Sequence, residues 1–132
     1  MSTTLQRLSM VAALALVVSG TVHLVDAPDT FGDATYLGLS FLIQFAVTLV
    51  AAAGILLSSR LAWGLGALVA LGSFGMYVIS RTIGLPGQSN EVWLEWSGIV
   101  AVTFEGIALV ATVLGLRLLR TATHAVAAPA AG

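Results

Sequence analysis

The sequence has no cysteine, only three prolines and few charged side chains. Without cysteine there can be no disulfide, no thiolate metal site and no iron–sulfur cluster. Charged residues make up 8% of the chain, against roughly 25% in an average soluble domain. No basic run or patch is present that would neutralise phosphates, so we do not expect nucleic acid as a partner. With 58% apolar residues, the composition instead indicates an integral membrane protein embedded in a lipid bilayer.

Four apolar stretches are long enough to span a hydrocarbon core, which takes about 20 helical residues. They lie near residues 5–25, 36–57, 61–83 and 93–119. We therefore expect an all-α fold, an antiparallel bundle of four transmembrane helices over residues 1–120. The Ala-rich residues 121–132 are predicted to form a flexible cytoplasmic tail. An alternative for the first stretch is a cleaved signal peptide, with Arg7 before the apolar run and small residues at 18–20.

Charges at the helix ends predict the orientation. The short connection around Ser58–Arg60 makes the second and third helices antiparallel neighbours. The longer connections, near residues 26–35 and 84–92, then share the opposite face and contain no basic side chain. Basic side chains flank the face of the two termini, namely Arg7, Arg60, Arg117 and Arg120. The positive-inside rule then predicts a multi-pass protein of the cell membrane with both termini cytoplasmic.

Tryptophans and small residues predict how the bundle packs. Trp93 and Trp96 suit an outer interfacial belt, and Trp63 suits the inner one. Small residues form ridges on the last two helices, at Ser58, Ala62, Gly66 and Ala70 and at Gly98, Ala101, Gly106 and Ala108. Such ridges let helix backbones approach closely and drive association in lipid. We expect a tight bundle with a candidate face for a homo-oligomer or a membrane protein partner.

Polar residues recur at i, i+4 spacing, so they share helix faces, mainly in the outer half of the membrane. The stripes are Ser19, His23 and Asp26; Tyr36, Ser40, Gln44 and Thr48; Ser73, Tyr77 and Arg81; and Glu91 and Glu95, with Glu105 deeper. One polar stripe on each helix is typical of a bundle with a wet vestibule. The predicted polar site consists of His23, Asp26, Gln44, Tyr77, Arg81, Glu91, Glu95 and Glu105.

Arg81 is the one basic side chain predicted on the outer side. It follows Arg60 by 21 residues, which is about 31 Å of helix and matches the hydrocarbon thickness. One interpretation is an interfacial arginine held by lipid headgroups or by Glu91 or Glu95. The other is an anion-facing or structural clamp in the vestibule, since arginine offers a rigid bidentate fork.

Glu105 lies about 13 Å deeper than Trp96 along the fourth helix. An ionised carboxylate at that depth is costly unless it is paired, so we expect it to be protonated or hydrogen-bonded. Its candidate partners are Gln44, Thr48, Ser73 and Tyr77. Glu105 is then either a neutral acid that joins helices or a group that exchanges a proton or a cation.

His23 lies near the outer end of the first helix. It is either a hydrogen-bonded interfacial histidine or a metal ligand or pH sensor. Together with Asp26, Glu91 and Glu95 it would supply nitrogen and oxygen ligands suited to zinc or manganese. Bis-histidine haem is not expected, because the other histidine, His124, lies on the opposite side of the predicted membrane.

Several segments resemble one family pattern. They are Gly20–Leu24, Ala27–Phe31, Gly38–Gln44 and Tyr77–Pro86, followed by Glu91 and Glu105. Together they resemble an uncharacterised family of small four-helix integral membrane proteins from actinobacteria, most specifically in Arg-Thr-Ile-Gly-Leu-Pro at 81–86. Members often carry a further histidine where this chain has Asp29-Thr30, which weakens a multi-histidine metal site. The resemblance implies the topology and the choice of residues, and no activity.

The sequence leaves two functions open. The first is a non-enzymatic accessory or scaffold protein with a polar site in the outer half of the bundle. The alternative is a binding module or transporter for a small ligand or metal, with Glu105 as the exchanging group. An enzyme is less favoured, since no serine–histidine–acid spacing, phosphate loop or zinc-helix motif is present.

Overall fold

The computed structural model describes residues 2–88 and 93–127, and these residues form four α-helices. The helices are α1 (Thr3–Asp33), α2 (Thr35–Leu56), α3 (Arg60–Thr82) and α4 (Trp96–Ala127). Each contains a segment long and apolar enough to cross a membrane. The predicted all-α four-helix bundle and its multi-pass character are confirmed at this level.

The helices form a ring in chain order. α1 packs against α2 and α4, α3 packs against the same two helices, and α1 and α3 lie diagonally opposite each other. Ala34 alone separates α1 from α2, and residues 57–59 separate α2 from α3. Connections this short make successive helices antiparallel. One end of the bundle therefore carries residues 57–59, and the other carries Ala34 and the connection between α3 and α4.

The first helix is longer than predicted. Residues 26–33, expected to be a loop, continue α1 for two further turns. Pro28 lacks a backbone donor and its ring crowds the carbonyl of the preceding turn, yet Thr30 stays helical, with its hydroxyl donating to the Asp26 carbonyl at 2.8 Å. Ala27 and Thr30 are buried, so packing outweighs the turn-forming tendency of this Asp-, Pro- and Gly-containing segment.

The end of α3 follows the prediction. Gly84 adopts a left-handed φ of 83°, and its N–H donates to the Ile79 carbonyl at 3.0 Å, so glycine terminates the helix as expected. The start of α4 differs, since Trp93 and Leu94 form a turn and the helix begins at Trp96.

The end of α4 also differs from the sequence prediction. The tail predicted from Thr121 begins as helix, because α4 continues to Ala127. The remaining residues of the predicted tail, 128–132, lie outside the described part of the chain.

The turn between α2 and α3 is closed by the backbone. Ser58 has a φ of 63°. Around it, the Ser59 N–H donates to the Gly54 carbonyl at 2.9 Å and the Ser58 N–H to the Ile55 carbonyl at 3.0 Å, which is the Schellman pattern. Ser59 then caps α3 by accepting from the Ala62 N–H. These bonds fix the antiparallel entry of α3.

The apolar core fills the half of the bundle that contains the termini. Its largest fully buried apolar side chains are Leu16, Ile55 and Trp63, surrounded by many alanines. Trp63 is only 1% exposed, so its predicted place in the inner interfacial belt is wrong. Its ring packs against Gly115 of α4, where any Cβ would overlap it. Trp93 and Trp96, in contrast, are exposed near the other end, as an outer belt requires.

The predicted small-residue ridges account for much of the close packing. Ala62, Gly66 and Ala70 of α3 are buried, and Ala62 lies against Gly54 of α2. Gly106 departs from this pattern, since a Cβ there would meet nothing within 4 Å. Close backbone approach through small residues is the usual source of stability where lipid removes the hydrophobic incentive.

Candidate functional site

A cavity of about 410 Å³ lies between the four helices, at the end opposite the apolar core. It begins among the residues that flank Ala34 and the α3–α4 connection and reaches inward to Glu105. Its polar and charged lining consists of His23, Asp26, Asp29, Thr30, Asp33, Ser40, Gln44, Ser73, Tyr77, Ser80, Arg81, Gln88, Glu95, Ser97 and Glu105. We call this space the polar cavity. A volume of this size suits a small molecule, since ligand pockets span roughly 300–1,000 Å³.

Glu105 is the least exposed polar residue of the cavity lining. The residue is 2% exposed. Its Oε1 accepts a hydrogen bond from the Ser19 hydroxyl at 3.2 Å and lies 3.7 Å from His23 Nε2. Its Oε2 is buried and has no hydrogen-bond partner among the described residues. A buried carboxyl oxygen without a hydrogen-bond partner lowers the stability of the fold. Of all the groups at the cavity, this oxygen is therefore the strongest indication of a bound ligand.

His23 is oriented by its own helix. Its Nδ1 lies 2.9 Å from the Ser19 carbonyl oxygen, which can only accept, so Nδ1 carries a proton. Nε2 is then the atom that faces Glu105. The imidazole ring meets Phe41 of α2 edge to face, with ring centroids 4.8 Å apart. One proton can therefore lie on either side of the Nε2–Oε1 gap, on the histidine or on the carboxyl group.

A side-chain hydrogen bond joins α2 and α3 along the cavity wall. Gln44 of α2 donates through Nε2 to the hydroxyl of Ser73 on α3. Both residues line the polar cavity. The pair satisfies two polar groups within the membrane and joins α2 to α3, where amide and hydroxyl pairs commonly connect helices in lipid.

Arg81 connects α3 to α4 at the outer part of the cavity. Its guanidinium lies 3.9 Å from the centroid of the Tyr77 ring, Nη1 donates to Ser80 Oγ at 2.7 Å, and Nη2 lies 3.5 Å from Glu95 Oε2. Gly98 allows this approach, because a Cβ there would lie 2.7 Å from Nη2. The side chain is only 8% exposed. Arg81 is therefore a clamp between helices, and Glu95, one of the partners that the sequence offered for it, is in contact with it.

The tyrosines extend this clamp to the connection between α3 and α4. The Tyr77 hydroxyl donates to the Trp93 carbonyl at 2.7 Å, and the two rings meet edge to face. The Tyr36 hydroxyl donates to the Pro86 carbonyl at 2.6 Å. These bonds hold the chain that follows α3 against the ends of α2 and α3, next to the cavity.

The predicted site residues converge to a large extent. His23, Asp26, Gln44, Tyr77, Arg81, Glu95 and Glu105 all line the polar cavity. Glu91 lies outside the described residues. Tyr36 and Thr48 of the predicted α2 stripe do not line the cavity, and the Thr48 hydroxyl donates to the Phe45 carbonyl of its own helix.

The partners predicted for Glu105 are wrong. Gln44 and Ser73 bond each other, and Tyr77 and Thr48 bond backbone carbonyls. Glu105 is instead held by Ser19 and His23, because α1 packs directly against α4 at this level. The i, i+4 relation of Ser19 and His23 was visible in the sequence. Which helix would face Glu105 was not.

The sequence reasoning also missed the aspartates beyond Asp26. Asp29 and Asp33 line the cavity because α1 continues through them as a helix. The spacing 26, 29, 33 places these aspartates on one helix face. The sequence analysis expected a loop here, and a loop has no such face.

A metal centre is not supported within the described part of the chain. No group of three or more histidine, cysteine, aspartate or glutamate side chains there could hold a metal ion. His23, Asp26 and Glu95 line one cavity but form no such group, and the fourth predicted ligand, Glu91, lies outside the described residues.

No family model, curated protein or solved structure matches this chain. The resemblance to small four-helix membrane proteins of actinobacteria therefore stays a prediction.

Proposed function

We propose that this protein is an integral membrane binding module for a small molecule that enters the polar cavity. The observation that carries the proposal is Glu105 Oε2, a buried oxygen without a hydrogen-bond partner among the described residues. Glu105 lines a cavity of about 410 Å³. A bundle selected only for stability would fill this space with apolar side chains, as it does around Trp63.

The polar lining supports binding more than simple helix association. Polar side chains that join helices in lipid hydrogen-bond one another, as Gln44 and Ser73 do. In Glu105, by contrast, Oε2 has no hydrogen-bond partner among the described residues, while Oε1 faces Ser19 and His23. In this proposal Glu105 is the exchanging group, since Oε2 either keeps a proton or accepts a donor from the ligand.

The proposal includes an orientation in the cell membrane. Arg7, Arg60, Arg117 and Arg120 belong to the half of the bundle that contains the termini and residues 57–59. By the positive-inside rule this half faces the cytoplasm, so the polar cavity opens to the other side. The ligand then arrives from outside the cytoplasm.

Native mass spectrometry of the protein, extracted gently from its own membranes, tests the proposal. We expect an added mass on the wild-type chain that is lost from the Glu105→Gln variant. Thr112→Val is the matched control, because Thr112 is also fully buried on α4 but its hydroxyl donates to the Ala108 carbonyl of its own helix. A bare wild-type chain, or an equal added mass on Glu105→Gln, would contradict the proposal.

A second candidate is the accessory role, in which α3 docks a larger membrane protein. One observation favours it. Gly64 and Gly72 are both exposed on α3, and a Cβ added at either would meet nothing within 4 Å, although Gly72 also lines the polar cavity. They flank the exposed Leu68 at i, i+4 spacing. A smooth ridge of this kind admits a neighbouring helix.

The accessory role predicts loss of a copurifying polypeptide when Gly64 is replaced by leucine. Gly106→Leu is a suitable comparison, because a Cβ at Gly106 also meets nothing within 4 Å but the residue lies on α4 and not on the Gly64–Gly72 ridge. Copurification that is equal for wild type and Gly64→Leu would exclude docking through this ridge.

A further inference from the structure

We infer that the ligand of the polar cavity is a small organic molecule with a protonated amine, bound with its ammonium group at Glu105. The inference rests on the proposed function and deepens it by naming the ligand class. It joins two independent features, the buried oxygen of Glu105 that has no hydrogen-bond partner among the described residues and the excess of carboxylates along the cavity.

The buried oxygen of Glu105 lacks a hydrogen-bond donor among the described residues. Glu105 Oε2 is buried and without a partner among the described residues, and a carboxylate oxygen only accepts. Ser19 already supplies the donor for Oε1. An ammonium group offers both a donor for Oε2 and the positive charge that an ionised carboxylate needs when it is removed from water.

The charges along the cavity also favour a cation. Five carboxylates line it, namely Asp26, Asp29, Asp33, Glu95 and Glu105, against two basic side chains among its described lining residues, Arg81 and His23, of which His23 is charged only when doubly protonated. Arg81 is engaged with Glu95 and lies over the Tyr77 ring, so it does not balance the others. None of the three aspartates forms a salt bridge with a described residue.

The position of the aspartates is unfavourable for the helix itself. All three lie in the last two turns of α1, where the helix dipole disfavours negative charge. They share one face and line the cavity. A row of carboxylates from the cavity mouth toward Glu105 attracts cations and raises their local concentration.

The size and lining of the cavity favour an organic cation over a bare ion. A volume of about 410 Å³ is far larger than one ion, and no metal-binding group is present among the described residues. Apolar side chains complete the lining, including Phe41, Leu37 and Met76. Phe41 offers an aromatic ring beside His23, and aromatic rings attract ammonium groups.

Three benzyl compounds that differ in their polar group separate the effect of ligand charge from the effect of the apolar ring. Calorimetric titration of the protein in nanodiscs, with empty nanodiscs as the reference, compares benzylamine, benzyl alcohol and phenylacetate at neutral pH. We expect saturable binding of benzylamine that is at least about tenfold tighter than that of benzyl alcohol, the equivalent of about 1.4 kcal/mol. Phenylacetate is expected not to bind.

The Glu105→Gln variant assigns the preference to the carboxyl group. Glutamine preserves the size of the side chain and an acceptor for Ser19, so the helical content and the melting temperature should remain close to those of wild type. We expect its affinities for benzylamine and benzyl alcohol to differ by less than about threefold. The Thr112→Val control should keep the wild-type preference.

The outcomes distinguish this inference from the proposed function. Equal affinities of wild type for the three molecules, or tighter binding of phenylacetate, would overturn the ligand class while leaving a binding module. A benzylamine preference that persists in Glu105→Gln would also overturn it, because another group would then hold the ammonium. Absence of saturable benzylamine binding would overturn the ligand class as well. The proposed function would then be decided separately, by whether native mass spectrometry detects an added mass on the wild-type chain.

Discussion

The carboxyl group of Glu105 illustrates, at the scale of single residues, how the bundle accommodates a polar group deep in the membrane. One oxygen is held by Ser19 and faces His23, while the other is buried and has no hydrogen-bond partner among the described residues. The residue is thus fixed in position by one oxygen, and in the proposed function the other oxygen receives a hydrogen bond from the ligand. That division allows a single side chain to contribute to both stability and binding.

The contribution to stability is tested by removing the Ser19 hydroxyl. Ser19→Ala leaves Glu105 Oε1 without its donor, so we expect the free energy of unfolding to fall by about 1 kcal/mol. The melting temperature in detergent should fall by a few degrees. The matched control is Ser9→Ala, because Ser9 is equally buried on α1 but donates to the Gln6 carbonyl of its own helix.

A double-mutant cycle identifies the partner. Combining Ser19→Ala with Glu105→Ala should cost less than the sum of the two single changes, because each change alone already removes the hydrogen bond between the two side chains. If the two effects simply add, the stability of α1 does not depend on this bond.

Arg81 provides a second prediction about a single residue. Replacing it with lysine keeps the charge but removes the planar group that lies over Tyr77 and reaches Ser80 and Glu95 together. We expect Arg81→Lys to reduce the free energy of unfolding by about 1–2 kcal/mol, as measured by thermal or denaturant melting. The charge pair alone contributes little, since Glu95 is 52% exposed.

The exposed Arg117 on α4 is the control for that substitution. Arg117→Lys should leave melting unchanged. Equal melting of wild type and Arg81→Lys would mean that charge, and not the shape of the guanidinium, holds α3 to α4.

At the scale of helices, α1 shows where sequence reasoning succeeded and where it failed. Hydropathy located all four helices, and i, i+4 spacing identified most of the cavity lining, because a helix face is a property of one segment. The extension of α1 through Pro28 was missed, since it depends on the burial of Ala27 and Thr30 against other helices. The partner of Glu105 was missed for the same reason, as it depends on which helix lies opposite.

Helix contacts also explain why glycines of one helix are not equivalent. On α4, any Cβ at Gly115 would overlap the buried ring of Trp63, whereas a Cβ at Gly106 meets nothing within 4 Å. We expect Gly115→Ala to lower the free energy of unfolding by about 1–3 kcal/mol, because Trp63 or α4 must move. Gly106→Ala should be neutral or stabilising by up to about 1 kcal/mol, through higher helix propensity.

Melting of both variants in the same detergent tests this contrast. Because the two substitutions are chemically identical and lie on one helix, a difference between them reports the contact with Trp63. Equal effects would show that α3 and α4 are not packed through Trp63 and Gly115.

At the scale of the whole molecule, the bundle divides into two halves of different chemistry. The half with the termini contains the alanine-rich core around Leu16, Ile55 and Trp63. The other half contains the polar cavity and every acidic residue of the described chain. The first half supplies the close packing that allows the second to remain open. The two halves also differ in the sign of their charge at the ends, which is the basis of the proposed orientation.

Cysteine labelling tests that orientation directly, because the natural chain contains no cysteine. Gly32→Cys and Leu57→Cys place single thiols at opposite ends of the bundle. A Cβ at Gly32 meets nothing within 4 Å, and Leu57 is 82% exposed, so neither change should disturb packing. In intact cells we expect a membrane-impermeant maleimide to label Gly32→Cys, and to label Leu57→Cys only after permeabilisation. The reverse pattern would place the cavity mouth in the cytoplasm and would make a ligand from outside the cell untenable, whereas labelling of both in intact cells would show that the chain has no single orientation.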